Sequence, residues 1–308
     1  TFVGLGTMGY PMAGHLSRSE LFNVSVFNRT SEKSAQWGEA YEGRVALTIE
    51  DAVKDADVVI TCTGRDEDMM EIVFSDDGMM PYLKKGSIFI DHTTTSFKLA
   101  KHLNEALKSK NIAFIDAPVS GGEAGAINGV LSVMAGGDAH ILDACDSIIK
   151  TYSKSITLMG DSGSGQLAKM VNQICIAGLL QGLSEGLLFA ESENLNMDKL
   201  LSAISGGAAQ SWQMVNRGKT MHQREFDFGW LGFFIRHNFV FMGVDEGLNI
   251  DYLVVLLLRV NSRDRWLLLN YLVLNSIVLI GLSNDRLCNG FFHHVYLRLA
   301  DQFHVRVS

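Results

Sequence analysis

Three groups of residues in this chain have types and spacings that can do chemistry. The first is Gly4-Leu5-Gly6-Thr7-Met8-Gly9, which follows an apolar strand at residues 1–3 and precedes helical spacing at Met8, Met12 and Leu16. In that setting Gly4 allows a tight turn, Gly6 lets the backbone approach a pyrophosphate, and Gly9 lets the helix pack close to its strand. The helix N-terminus around Thr7 and Met8 adds free N–H groups and partial positive charge for phosphates. The second group is Ser120-Gly121-Gly122, a hydroxyl beside two glycines whose N–H groups can hold a carboxylate. The third is Lys169 with Asn172, three residues apart and so on one helix face. A lysine whose pKa is lowered by burial can donate a proton to a developing alkoxide, and an asparagine can orient it or bind the substrate.

The elements that must position these groups are legible in outline. A second strand at 24–27 completes a βαβ unit and ends at Asn28-Arg29-Thr30, with Lys33 one turn further on. An acidic residue at that strand end would hold the ribose of NAD. Asn28 with Arg29 instead points to NADP, with NAD the second choice. Thr30 or Ser31 is expected to cap the following helix. Further strands are expected at 58–62, 87–91, 113–116 and 131–135. The loops after them carry Thr63, then His92-Thr93-Thr94-Thr95, then Pro118 to Gly122. In a doubly wound sheet, ligands collect at these carboxyl ends. The alternation stops near 160, where residues 160–165 read as a linker-like loop before a helical pattern from Gln166 to about Asn194. The expected fold is an α/β Rossmann-type dinucleotide-binding domain at 1–162 and an all-α domain at 163–308, joined by a long interdomain helix. The active site is expected in the cleft between the domains.

Composition narrows the function classes. With 308 residues and 47% hydrophobic content, two cored domains are expected without disulfides. The net charge of −8 argues against a nucleic-acid or acidic-membrane partner. Cys62, Cys145, Cys175 and Cys288 are scattered without metal-ligand spacing, which suits reduced thiols in a cytoplasmic-type compartment. No signal peptide is legible, and because a strand starts almost at residue 1, native residues are expected to precede it. The apolar run 267–282 contains asparagines and is shorter than a membrane helix needs, so it reads as a buried helix. So apolar a helical domain leads to the expectation of a homo-oligomer, a dimer or tetramer.

Four motifs in order resemble the β-hydroxyacid dehydrogenase family, which includes 3-hydroxyisobutyrate dehydrogenases and semialdehyde reductases. They are the glycine loop at 4–9, Asp116-Ala117-Pro118-Val119-Ser120-Gly121-Gly122, the run from Gly163 through Lys169 to Asn172, and Phe226-Asp227-Phe228-Gly229. The resemblance covers about residues 1–229. It implies hydride transfer between a nicotinamide cofactor and a small 3-hydroxy acid or its semialdehyde. Lys169 would then be the acid/base, assisted by Asn172, with Ser120, Gly121 and Gly122 on the substrate carboxylate. Thr94, and less directly Thr63, would stand beside the nicotinamide. His92 is expected to pack against the cofactor without a chemical role. The rival class is an inactive relative serving as an oligomeric cofactor-binding scaffold; the presence of Lys169 favours an enzyme.

The resemblance weakens after Gly229. His237 and Asn238 stand where the family carries a Lys-Asp pair, no lysine follows Lys219, and no proline follows Pro118. This break leads to the expectation that the residues from about 230 onward are not the native continuation.

Overall fold

Short runs of β-branched and aromatic residues alternate with amphipathic helices through the first half of the chain, as a parallel sheet requires. In a computed structural model, which describes residues 1–223, these runs form the strands β1 (Phe2–Val3), β2 (Ser25–Phe27), β3 (Arg44–Val45), β4 (Val58–Thr61), β5 (Ile88–Asp91), β6 (Ala113–Asp116), β7 (Val119–Ser120), β8 (Leu131–Gly137) and β9 (Ser153–Gly160). The helices between them are α1 (Gly9–Arg18), α2 (Ser31–Ala40), α3 (Ile49–Val53), α4 (Asp66–Phe74), α5 (Phe97–Lys108), α6 (Gly122–Ile127) and α7 (Ala139–Ile149). A long α8 (Ser164–Ser192) follows, then α9 (Met197–Ile204) and α10 (Trp212–His222).

The strand order begins β3-β2-β1-β4-β5-β6, all parallel, and then turns antiparallel at β8, which also pairs β7 and β9. This order reverses direction between β1 and β4, the position where dinucleotides bind in doubly wound sheets. Residues alternate between two cores, one on each face. Phe2, Ile60, Ile90 and Ile115 enter one; Val3, Val59, Phe89 and Phe114 enter the other. Leu99, Leu103 and Leu107 on α5 repeat every four residues and fill the second core, and Ser96 starts that helix by accepting the Leu99 N–H at 3.1 Å.

Chain contacts divide the molecule into Thr1–Gly178 and Leu179–Ser308. In the second unit Leu183, Leu187, Ala190, Met197 and Met214 form a small core of their own. By length and composition α8 is the one helix among the described residues that could cross a membrane. Its Gln166, Lys169 and Gln173 are buried, however, and its first turn is bonded to the sheet.

Several sequence expectations need correction. The linker-like loop shrinks to residues 161–163, because the Asp116 carboxylate accepts the N–H groups of Gly163 and Gln166 and starts the helix at Ser164. Val119 and Ser120 belong to a strand rather than a loop, paired with Val133 and Ser132. The strand at β9 was missed because most of its residues are exposed and do not read as apolar. Thr30 occupies the cap position of α2, but its side chain makes no capping hydrogen bond. Among the described residues Cys62, Cys145 and Cys175 form no disulfide with one another. The motif at 226–229, His237, Asn238, the apolar run 267–282, Cys288 and the expected break after 230 all lie outside the described residues.

Candidate active site

The glycine loop has the shape its spacing implies. Gly4 has φ +97°, and a Cβ there would overlap the Cys62 carbonyl; a Cβ at Gly9 would overlap the Gly4 carbonyl. At Gly6, by contrast, nothing stands within 4 Å of where a Cβ would be. Packing therefore explains Gly4 and Gly9, whereas Gly6 leaves open backbone, as close approach of a pyrophosphate needs. The N-cap position of α1, Met8, supplies no side-chain cap, and Thr7 beside it is exposed. The Tyr10 N–H already donates to the Gly6 carbonyl at 2.9 Å and Pro11 carries no N–H, so it is the N–H groups of the turn before them that face an anion. These residues fit a bound dinucleotide.

Asn28 ends β2 and holds the loop in place. Its Oδ1 accepts the Leu5 N–H at 2.8 Å and its amide donates to the Thr30 carbonyl at 3.0 Å. Arg29 is largely exposed and pairs with Asp68 at 3.5 Å and Glu71 at 3.3 Å on α4. Thr30 and Lys33 are exposed beside it.

The loops after β4 and β5 are joined through a residue to which the sequence assigned no role. Thr93 Oγ1 accepts the Thr63 N–H at 3.0 Å, and Thr94 sits next to it, half-buried. His92 departs from its expected place against the cofactor. It is 2% exposed, its Nδ1–H donates to the Ala117 carbonyl at 2.6 Å, and its Nε2 accepts from the Tyr152 hydroxyl at 2.8 Å. Burial lowers its pKa to about 4 despite the Ala117 contact, so the ring is neutral and structural.

At the end of β6 and the start of α8 the third group assembles. Lys169 is 8% exposed, and its Nζ donates to the Val119 carbonyl at 2.7 Å. Among the described residues no carboxylate pairs with it, and burial lowers its pKa to about 8. Ser120 Oγ donates to Asn172 Oδ1 at 3.3 Å, and Asn172 donates to Gln173 Oε1 at 2.9 Å. Gly121 and Gly122 follow with φ +135° and +64°, a backbone path that turns sharply after Ser120. The structure thus brings Ser120, Lys169 and Asn172 together. Asp116, Gln166 and Gln173 also belong to this cluster and were missed. A signal existed: Gln166, Lys169 and Gln173 form a polar stripe at helical spacing on an otherwise apolar helix.

Open glycine-loop backbone at the sheet's switch point, together with a buried lysine on α8, defines a Rossmann-type NAD(P)-dependent oxidoreductase. The profile of the NAD-binding domain of 6-phosphogluconate dehydrogenase matches residues 1–160. That of the NAD-binding region of NADP-dependent 3-hydroxyisobutyrate dehydrogenase matches 163–237. An uncharacterized oxidoreductase of Shewanella frigidimarina is 51% identical over 228 residues, 74% of this chain and 78% of that one. The 2-hydroxy-3-oxopropionate reductase of Escherichia coli is 31% identical over 232 residues, 74% of this chain and 77% of that one. The structure of Mycobacterium tuberculosis 3-hydroxyisobutyrate dehydrogenase with L-serine superimposes with a TM-score of 0.68 at 25% identity, covering 82% of this chain and 86% of that one. The chain belongs to the β-hydroxyacid dehydrogenase family. It is an NAD(P)-dependent hydroxyacid dehydrogenase of the 3-hydroxyisobutyrate dehydrogenase type.

Proposed function

We propose that this enzyme reversibly transfers a hydride between NADP(H) and a small 3-hydroxy acid or its semialdehyde, with Lys169 as the proton carrier. The observation that carries the reading is a buried ammonium whose hydrogen bond goes to a backbone carbonyl, beside the Ser120–Asn172 contact. A buried cation with no carboxylate partner among the described residues favours an anion or a developing alkoxide in front of it.

When bound, the reduced nicotinamide supplies a hydride to the carbonyl carbon. The residues of the chain do the rest. Ser120 Oγ and the N–H groups of Gly121 and Gly122 hold the substrate carboxylate. Lys169 Nζ donates its proton to the carbonyl oxygen as that oxygen gains charge, and Asn172 orients the same oxygen or the lysine. In the oxidative direction neutral Lys169 accepts the hydroxyl proton. Gly4, Gly6, Thr7, Met8 and Gly9 cradle the pyrophosphate, and Thr63 and Thr94 border the nicotinamide. Asn28, Arg29 and Thr30 form the ribose end.

NADP is preferred to NAD because Asn28 stands at the strand end where an acidic residue would repel a 2′-phosphate, and Arg29 beside it can pair with that phosphate. Its pairs with Asp68 and Glu71 are exposed, and such pairs contribute only about 0.2–1 kcal/mol, so a phosphate can displace them. Two relatives point to three-carbon β-hydroxy acids as the substrate class: one is named for 2-hydroxy-3-oxopropionate, the other was solved with L-serine. The cofactor domain is taken as 1–162 and the helical domain as 163–308, in a cytoplasmic homo-oligomer.

The test is oxidation of NADPH and of NADH against glyoxylate and the succinic, tartronate and methylmalonate semialdehydes, with Lys169→Ala as control. Turnover with NADPH that disappears in the variant supports the reading. NADPH binding without turnover of any of these compounds would favour the scaffold instead.

A further inference from the structure

Gln166 lies three residues before Lys169 on the first turn of α8 and is fully buried. Both ends of its amide are engaged. Oε1 accepts the Thr95 N–H at 3.1 Å, and Nε2 donates to the Thr93 carbonyl at 2.8 Å. The side chain therefore brackets Thr94, in the segment after β5. The backbone N–H of the same residue donates to Asp116 Oδ2 at 3.0 Å, while Asp116 Oδ1 accepts the Gly163 N–H at 2.7 Å. One turn of helix is thus bonded to the ends of two adjacent strands, β5 and β6. The joint has little slack: a Cβ on Gly165 would stand 2.5 Å from the Met134 carbonyl oxygen and 2.7 Å from that of Asp116.

We infer that Gln166 is a positioning residue. It sets the height of the Lys169 ammonium against the Thr93–Thr95 segment, and so registers the proton donor with the nicotinamide side of the site. The inference rests on the role proposed for Lys169. The chemistry selects glutamine: the site presents one N–H and one carbonyl, and an amide answers both. A leucine would leave both backbone groups buried and unpaired. An ionised glutamate would set a carboxylate against the Thr93 carbonyl. Neither change touches the reacting atoms, so their effect on rate must travel through the placement of Lys169 against the Thr93–Thr95 segment; a shift of that segment alone would show in NADPH affinity, and a shift of Lys169 in the pH profile.

The test uses Gln166→Leu, Gln166→Glu and the milder Gln166→Asn in the full chain. The readouts are NADPH affinity by fluorescence, KM and kcat, and the pH profile of kcat. A misplacement of about 1 Å can cost about 100-fold in rate. The expected result is a 10- to 100-fold fall in kcat for Leu and Glu, with a smaller fall for Asn. NADPH affinity should change by less than about 3-fold, and the alkaline limb of the profile should move. Part of the loss in Gln166→Glu should return at low pH, where the introduced carboxyl is protonated and can again both donate and accept.

Unchanged kcat in folded variants overturns the inference. So does a fall in kcat with the alkaline limb unmoved, which marks a purely structural role. Lys169→Ala, measured alongside, separates the two claims. If it is inactive while the Gln166 variants behave as wild type, only the positioning role fails; if it is fully active, the reading of Lys169 fails first.

Discussion

Lys169 Nζ donates a 2.7 Å hydrogen bond to the Val119 carbonyl oxygen, which holds a buried ammonium at the strand that leads into Gly121 and Gly122. The same strand carries Ser120, so the β7–β8 ladder both holds the proposed carboxylate clamp and anchors the proposed proton donor through the Val119 carbonyl. Burial lowers the lysine pKa to about 8. In the proposed mechanism reduction needs the protonated lysine and should decline as pH rises through about 8, whereas oxidation needs the neutral form and should rise through the same region. Opposite limbs in log kcat against pH for the two directions are the check. Lys169→Ala should lower kcat by about 100- to 10,000-fold, the range typical of a lost general acid. Parallel limbs in both directions would remove Lys169 from the proton path.

Ser120 contacts Asn172 at 3.3 Å and stands beside the two glycines. As a carboxylate ligand it should act mainly on binding. Ser120→Ala should raise KM for the semialdehyde by about 10- to 100-fold, consistent with about 1.5–3 kcal/mol for a hydrogen bond to a charged group. NADPH affinity should stay constant. A loss confined to kcat would assign Ser120 to the chemical step.

Arg29 pairs with Asp68 and Glu71 while its side chain is 75% exposed. Arg29→Ala should weaken NADPH by about 10-fold, in line with one lost charge-assisted contact, and leave NADH nearly unchanged. Equal effects on the two cofactors, measured by titration, would place the 2′-phosphate elsewhere.

Asp91 and His92 are adjacent, buried and titrate in opposite senses. Burial raises Asp91 to about 7, partly offset by hydrogen bonds from Thr93 and Thr61 and reinforced by Asp116. Burial lowers His92 to about 4. The raised carboxyl gives stability that is present below its unfolded pKa of about 4 and lost as pH rises toward 7. The depressed imidazole gives stability that is present above about 6.5 and lost as pH falls toward 4. Between those values the two slopes oppose each other. Asp91→Asn removes one of them, so its denaturation midpoint should fall more steeply on acidification than that of the wild type. Identical slopes would show that Asp91 does not titrate in this window.

The sequence alone determined the parts whose signal is local. Glycine spacing after a strand, β-branched runs and the intact stretch from Gly163 to Asn172 were enough to specify the dinucleotide fold, the family and Lys169, Asn172 and Ser120 as candidates. Each rests on contacts within a few residues or on a fixed periodicity. What the tertiary structure decided depends on partners far apart in the chain. It gave His92 to the core, 60 residues from Tyr152, and it turned Arg29 toward Glu71, 42 residues away. It also assigned Asp116 and Gln166 their places, since the carboxylate that starts α8 comes from a strand end 47 and 50 residues earlier. A carboxylate or an amide reads the same in a sequence whether it faces water or a buried N–H. Only the packing that removes water decides which groups must find each other, and therefore which of them hold the lysine in place.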